Sequence, residues 1–280
     1  MSPIATVIAE YVERWLTPGA PLIVGICGTQ ASGKSTACDQ VAAYLTGLGY
    51  RVGVLGLDDL YLGRVARAEL AAKLHPLFAT RGPPGTHEVA LGIGVFDAVR
   101  AGRGTAIPRF DKRADEPLPQ ADWPILPGSC DVLLFEGWCV GAQPQRAAEL
   151  AVPVNDLERD EDAAGIWRRT FNAHLAGPTG ALFSRIDRLI YLRPPSWETV
   201  YHWRCQQEHG YIASDREEGV PAAMTDAQVM RFIAHYERMT RPTMAEMPAR
   251  ADLTLQLDAE RRVTKTMTGR FALASGPATA

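Results

Sequence analysis

The sequence predicts an α/β protein built on a doubly wound, mostly parallel sheet. Three observations carry that reading. Short, nearly continuous apolar runs suit strands covered on both faces. Segments of helical period alternate with those runs. No linker or internal repeat divides the 280 residues, so a single domain over 1–280 is expected.

The elements follow in order. Ile4, Val7, Ile8, Tyr11, Val12 and Trp15 recur at helical spacing, with Glu10 and Glu13 opposite, so an amphipathic helix is expected within residues 1–20. No basic region precedes an apolar core there, which argues against a targeting leader. Pro21 to Cys27 is an apolar run, a Gly-rich turn follows, and Val41, Tyr44, Leu45 and Leu48 share one helical face ahead of Gly49. Arg51 to Leu57 is a second apolar run, which completes a strand–helix–strand unit. Further on, helices are expected over 88–100, 157–175 and from Ser196 to about Glu208, with a last long helix around Val229 to Tyr236. Strands are expected over 105–110, 131–136, 187–192 and 251–257, and a frayed tail over 272–280. His75–His87 and Pro108–Ser129 are long loops of the kind that often carry function.

Composition excludes some classes. Apolar residues make up 46% of the chain and the formal net charge is -3, which argues against a nucleic-acid partner. No stretch approaches the ~20 apolar residues needed to cross a bilayer, so no membrane partner and a cytoplasmic location are expected. The 5 cysteines include no Cys-x-x-Cys spacing and read as small buried hydrophobes in a reducing compartment.

The chemistry begins at Gly28-Thr29-Gln30-Ala31-Ser32-Gly33-Lys34-Ser35, followed by Thr36. Glycine at the first and sixth places lets backbone N–H groups curl around an anion, and the helix that opens there adds its positive dipole end. In such a loop the lysine, Lys34, reaches the β- and γ-phosphates of ATP, and the hydroxyl of Ser35 meets Mg²⁺. These residues predict a three-layer P-loop NTPase fold with a helical lid. Glu136 ends the apolar run Val132–Phe135, at the carboxyl edge where ligands bind, and is the second candidate on the metal side.

Asp58 and Asp59 end the second strand. A kinase that phosphorylates a hydroxyl benefits from a carboxylate that accepts its proton. Neighbouring side chains of an extended segment point oppositely, so Asp58 is assigned as base and Asp59 as helix cap or secondary metal contact. Arg81, Arg109, Lys112 and Arg113 are loop-borne cations suited to phosphate or an acidic substrate. Arg204, on the helix after the 187–192 strand, is placed to contact phosphate or stack on adenine from a lid. His202 and His209 have no metal-ligand spacing and read as packing or surface residues.

On these residues the chain resembles the D-glycerate 3-kinase family, relatives of phosphoribulokinase, uridine kinase and pantothenate kinase. The matching segments are Gly28–Ser35, Leu57-Asp58-Asp59-Leu60-Tyr61-Leu62, Arg81-Gly82-Pro83-Pro84-Gly85-Thr86-His87, Pro108-Arg109-Phe110-Asp111-Lys112, Phe135-Glu136-Gly137-Trp138 and Tyr201-His202-Trp203-Arg204. The resemblance implies transfer of the ATP γ-phosphate to the 3-hydroxyl of D-glycerate, with Asp58 as base and Glu136 near Mg²⁺. It points to Tyr61, Arg81, His87, Arg109 and Lys112 as substrate-side candidates. The charged segment Ile212–Ala223 departs from the family pattern. Other small alcohols (a nucleoside, a sugar acid, a pantothenate-like acceptor) and a nucleotide-switched regulatory ATPase remain as alternatives.

Overall fold

The computed structural model describes residues 1–214 and 224–269. Most of the charged 212–223 segment and all of the 272–280 tail fall outside the described residues.

Helix α1 (Pro3–Trp15) starts where the Ser2 side chain accepts a hydrogen bond from Ala5 N and Pro3 fills the first turn. Strand β1 (Leu22–Gly28) is buried along its whole length and leads into α2 (Lys34–Gly47). The inward face of α2 is Ala37, Cys38, Val41 and Leu45, whereas Tyr44 and Leu48, expected on that face, are exposed. Strand β2 (Val52–Gly56) ends in a 3-10 turn, Leu57–Leu60, which carries Asp58 and Asp59. Helices α3 (Arg64–Lys73) and α4 (Val89–Arg100) follow.

The expected strand over 105–110 is broken. Only β3 (Thr105–Ala106) and β4 (Phe110–Asp111) are extended, and they pair outside the main sheet with β6 (Ile125–Leu126) and β5 (Glu116–Pro117). Pro108 lies between β3 and β4 and has no N–H to give a ladder. Strand β7 (Val132–Gly137) matches its expected run.

The helix expected over 157–175 is two helices, α5 (Asp156–Glu161) and α6 (Ile166–Ala176), followed by α7 (Pro178–Phe183). The break is built by Gly165, at φ 69, and by the buried Asp162 carboxylate, which accepts from Trp167 N at 2.9 Å and Arg168 N at 3.1 Å. Strand β8 (Arg188–Arg193), α8 (Trp197–Ser214), α9 (Asp226–Arg250) and β9 (Leu253–Leu257) come next. A further strand, β10 (Val263–Thr268), which sequence reasoning missed, turns back antiparallel against β9.

The sheet runs β10-β9-β8-β1-β7-β2, and from β9 to β2 every neighbouring pair is parallel. Alternation along the strands divides the core in two. Ile23, Cys27, Leu133 and Phe135 pack with residues of α4, α6, α7 and α9. Val24, Ile26, Val132 and Leu134 pack with residues of α1 and α2 on the opposite face. This is the three-layer arrangement expected. Phe96 meets Phe135 edge-on at 5.1 Å, and each ring's burial contributes about 1.5–3 kcal/mol. All 5 cysteines are buried and free. No helix among the described residues is long and apolar enough to cross a membrane.

Candidate active site

The turn between β1 and α2 is shaped by its small residues. Ala31 and Gly33 take positive φ of 57 and 87. A Cβ on Gly28 would lie 2.7 Å from Ser32 Oγ and 3.2 Å from Leu192 Cβ, so only glycine fits between loop and strand. Thr29 Oγ1, Ser32 Oγ and both amide atoms of Gln30 are buried without a hydrogen-bond partner among the described residues. Buried polar atoms are rarely left so, and a phosphate-bearing ligand would satisfy them.

Opposite this loop, the parallel pairing of β1 with β7 sets Ile26 beside Glu136. The Ser35 hydroxyl donates to Glu136 Oε1 at 2.8 Å, and Lys34 Nζ lies 3.7 Å from Glu136 Oε2. A hydroxyl and a carboxylate held together beside a phosphate loop are oxygen donors of the kind a hard divalent cation takes. Among the described residues no group of three or more His, Cys, Asp or Glu could hold a metal by itself. Any cation here would therefore complete its shell with water and phosphate oxygens.

The two adjacent aspartates point apart, but as neighbours in a 3-10 turn rather than by alternation along an extended strand. Asp58 points into a cleft of about 240 Å³ lined also by Lys34, Ser35, Tyr61, Arg81 and Lys112. Its Oδ1 accepts the Tyr61 hydroxyl at 2.6 Å, and its Oδ2 accepts Lys112 Nζ at 2.6 Å. Burial pushes the Asp58 carboxyl up, but the Lys112 and Lys34 charges and these two hydrogen bonds outweigh it and hold it well below the usual range. Asp59 turns away. Its Oδ2 accepts from Gly56 N at 3.0 Å and Arg109 Nη1 at 3.3 Å, and its Oδ1 from Phe110 N at 3.3 Å. Burial raises the Asp59 carboxyl. Its contacts are those of a cap that ties the Phe110 strand to the turn.

The remaining expected site residues separate into two groups. Gln30, Ala31, Gly33, Lys34, Ser35, Thr36, Asp58, Tyr61, Arg81, Lys112 and Arg204 line the cleft. Arg204 reaches it from α8, paired with Glu208, bonded to Gln207 Oε1 at 3.0 Å, and stacked 5.4 Å over Phe232. Arg109 and His87 do not line it. The Arg109 guanidinium faces inward, to Val54 O at 3.1 Å, Pro108 O at 2.9 Å and Asp59. His87 is buried beneath Tyr61, ring centroids 4.8 Å apart, with both ring nitrogens unpartnered among the described residues. Burial, with a smaller contribution from the nearby His174, lowers its imidazole to about 4, against the pull of Asp58.

Sequence reasoning missed the cleft's aromatic wall. Trp138 from the end of β7 meets Tyr236 of α9 edge-on at 4.8 Å, and Phe232 stacks behind at 5.0 Å from Tyr236. Trp138 Nε1 donates to Gly82 O at 3.2 Å, and the Tyr236 hydroxyl donates to Arg81 O at 3.0 Å. The wall thus holds the Arg81–His87 loop against the cleft. Trp138 belonged to a quoted motif, whereas Tyr236 reads as helix core and offered no separate signal.

This architecture has counterparts. No protein-family model matches the chain. An uncharacterized kinase of Schizosaccharomyces pombe, mug58, is 32% identical over 244 residues, 82% of this chain and 83% of that one. The chloroplastic D-glycerate 3-kinase of Arabidopsis thaliana is 29% identical over 266 residues, 86% of this chain and 53% of the relative. The solved D-glycerate 3-kinase of Cryptococcus neoformans var. grubii shares the fold, at a TM-score of 0.75 and 23% identity over 95% of this chain and 96% of that one. With the phosphate loop, the Asp58 turn and the Trp138 strand end in one cleft, the chain belongs to the same family of P-loop kinases as mug58 and is similar to the D-glycerate 3-kinases.

Proposed function

We propose that this kinase transfers the γ-phosphoryl group of ATP to the 3-hydroxyl of D-glycerate, with Mg²⁺ as cofactor. The observation that carries the reading is the Asp58 carboxylate, which faces the phosphate loop across one cleft with two cations, Lys112 and Arg81, at its side. A hydroxyl to deprotonate and a carboxylate to bind are what that trio complements.

Backbone amides of 28–35 and the Lys34 ammonium hold the β- and γ-phosphates. Arg204 lines the same cleft from α8, from which its guanidinium would reach those phosphates. Ser35 and Glu136 would hold the metal, whose charge offsets that of the phosphates when bound. Asp58, kept ionised by its cationic neighbours, orients the acceptor hydroxyl. The acceptor oxygen bonds to the γ-phosphorus as the bond from phosphorus to the β–γ bridging oxygen breaks. The hydroxyl proton passes to Asp58, and ADP leaves. Tyr61 fixes the Asp58 rotamer through its hydrogen bond. The aromatic wall of Trp138 and Tyr236 excludes water from the acceptor side.

Two cations, Lys112 and Arg81, on the Asp58 side of the cleft favour a small hydroxy acid over a neutral nucleoside. A panel of acceptors with coupled ADP detection tests this. D-Glycerate is expected to give the highest kcat/KM. ADP release that does not depend on D-glycerate at any concentration would discard it as the acceptor.

A further inference from the structure

Lys112 does more in this arrangement than wait for an anion. It sits at the turn of the β4–β5 hairpin, and that turn is pinned from several sides. The Asp111 carboxylate accepts from Arg113 N at 2.8 Å and Ala114 N at 3.1 Å. Asp115, at φ 59, pairs with both Arg67 and Arg81. Phe110 packs edge-on against Tyr61 at 5.4 Å. A hairpin fixed this firmly delivers the lysine stem to one place, and the ammonium lands on Asp58 Oδ2.

The hairpin fixes the Lys112 backbone, while its side chain extends into solvent. The Lys112 side chain is 59% exposed, and the Asp58 side chain 27%. The ammonium is reachable from solvent, so an incoming carboxylate can offer it an equivalent charge-assisted hydrogen bond in exchange for Asp58. Tyr61 keeps Oδ1 occupied whatever Lys112 does.

We propose that Lys112 is a latch on Asp58 that only an acidic acceptor releases. This deepens the glycerate reading and rests on it for the identity of the acid. With the site empty, the ammonium masks Oδ2, so a water beside the γ-phosphate finds no free base. When a hydroxy acid enters, its carboxylate draws Lys112 away, and the freed Oδ2 takes the proton of the hydroxyl carried two carbons along the same molecule. Substrate charge therefore switches on the base, and ATP hydrolysis without acceptor is held down. In that side reaction the water oxygen bonds to the γ-phosphorus, the bridging bond breaks, the proton goes to Asp58, and ADP and phosphate leave.

The test uses the full chain, Lys112→Met and Lys112→Arg, with two readouts. The first is ADP release from ATP and Mg²⁺ with no acceptor. The second is the ratio of kcat/KM for D-glycerate to that for glycerol, which lacks the carboxylate. Lys112→Met is expected to raise acceptor-free hydrolysis roughly tenfold and to lower the ratio by at least about tenfold. Lys112→Arg is expected to keep hydrolysis low. Acceptor-free hydrolysis in Lys112→Met that stays level or falls overturns the latch, as does an unchanged ratio. A wild-type enzyme inactive on D-glycerate refutes the acceptor instead, and the hydrolysis readout still decides the latch.

Discussion

Ser35 and Glu136 stand 101 residues apart in the chain, yet the Ser35 hydroxyl donates to the Glu136 carboxylate over 2.8 Å. The contact exists because β1 and β7 pair in parallel, which brings the head of α2 beside the carboxyl end of β7. Removing the charge while keeping the shape isolates its role. Glu136→Gln is expected to lower kcat/KM about 10–100-fold and to raise the Mg²⁺ concentration needed for half-maximal rate. A magnesium titration at fixed ATP reads both.

Lys34 and Asp58 act at opposite sides of the transferring group and should separate kinetically. Lys34→Ala removes charge from the phosphoryl group in flight and is expected to cost on the order of 10²–10³ in kcat. Asp58→Asn is expected to cut turnover by about 10²–10⁴ with nucleotide affinity little changed. Single-turnover kinetics with an ATP titration of each variant distinguishes the two losses.

Gly82 and Gly94 predict opposite signs for the same substitution. Gly82 has φ 129, and a Cβ there would come within 2.6 Å of Tyr236 Cε1. Gly82→Ala is expected to destabilise by about 1–3 kcal/mol and to displace the Arg81 loop from the aromatic wall. Gly94 lies inside α4 with nothing within 4 Å of its Cβ position. Gly94→Ala is expected to stabilise by about 0.5–1 kcal/mol. Thermal melts of both variants check the pair.

His87 sets an acid limb on stability. Its imidazole is lowered by burial to about 4, against an ordinary 6.5. The unfolded chain therefore takes the extra proton first as pH falls. The stability His87 contributes is complete above about pH 6.5, drains between 6.5 and about 4, and amounts to roughly 3 kcal/mol. His235, also lowered by burial, titrates in the same direction. His87→Phe should flatten part of the slope, which urea denaturation at several pH values between 4 and 7 measures.

What was legible in the sequence is what local physics dictates. The phosphate loop announces itself through Gly33, which takes a positive φ, and Gly28, where a Cβ would clash with Ser32, and β1, β7 and β8 through apolar runs. Helix α3 is hard to read because its apolar face is thin: Leu70 packs on the core only in part, and the fully buried residue is Arg67, whose guanidinium bonds to Leu62 O at 2.5 Å and Ala79 O at 3.2 Å. Strand β10 was missed because its residues are mostly exposed and polar, and it is recruited by the edge of β9. The break within 157–175 is hidden from the sequence because it depends on a buried carboxylate, Asp162, whose partners are set by tertiary structure. In the same way Arg109 and His87 looked like substrate residues by loop and motif. Whether a loop cation faces a cleft or its own backbone is decided by packing, and Arg109 faces Val54 and Asp59.

The proposed phosphoryl transfer onto the acceptor that Asp58 and Lys112 complement can be read in its product. Its most direct measurement is the phosphorus NMR spectrum of the product formed from ATP, Mg²⁺ and D-glycerate. A single phosphate ester at the 3-oxygen is expected, formed in step with ADP and lost in Asp58→Asn. A 2-phosphate product, or ADP accumulating with inorganic phosphate and no ester, would contradict it.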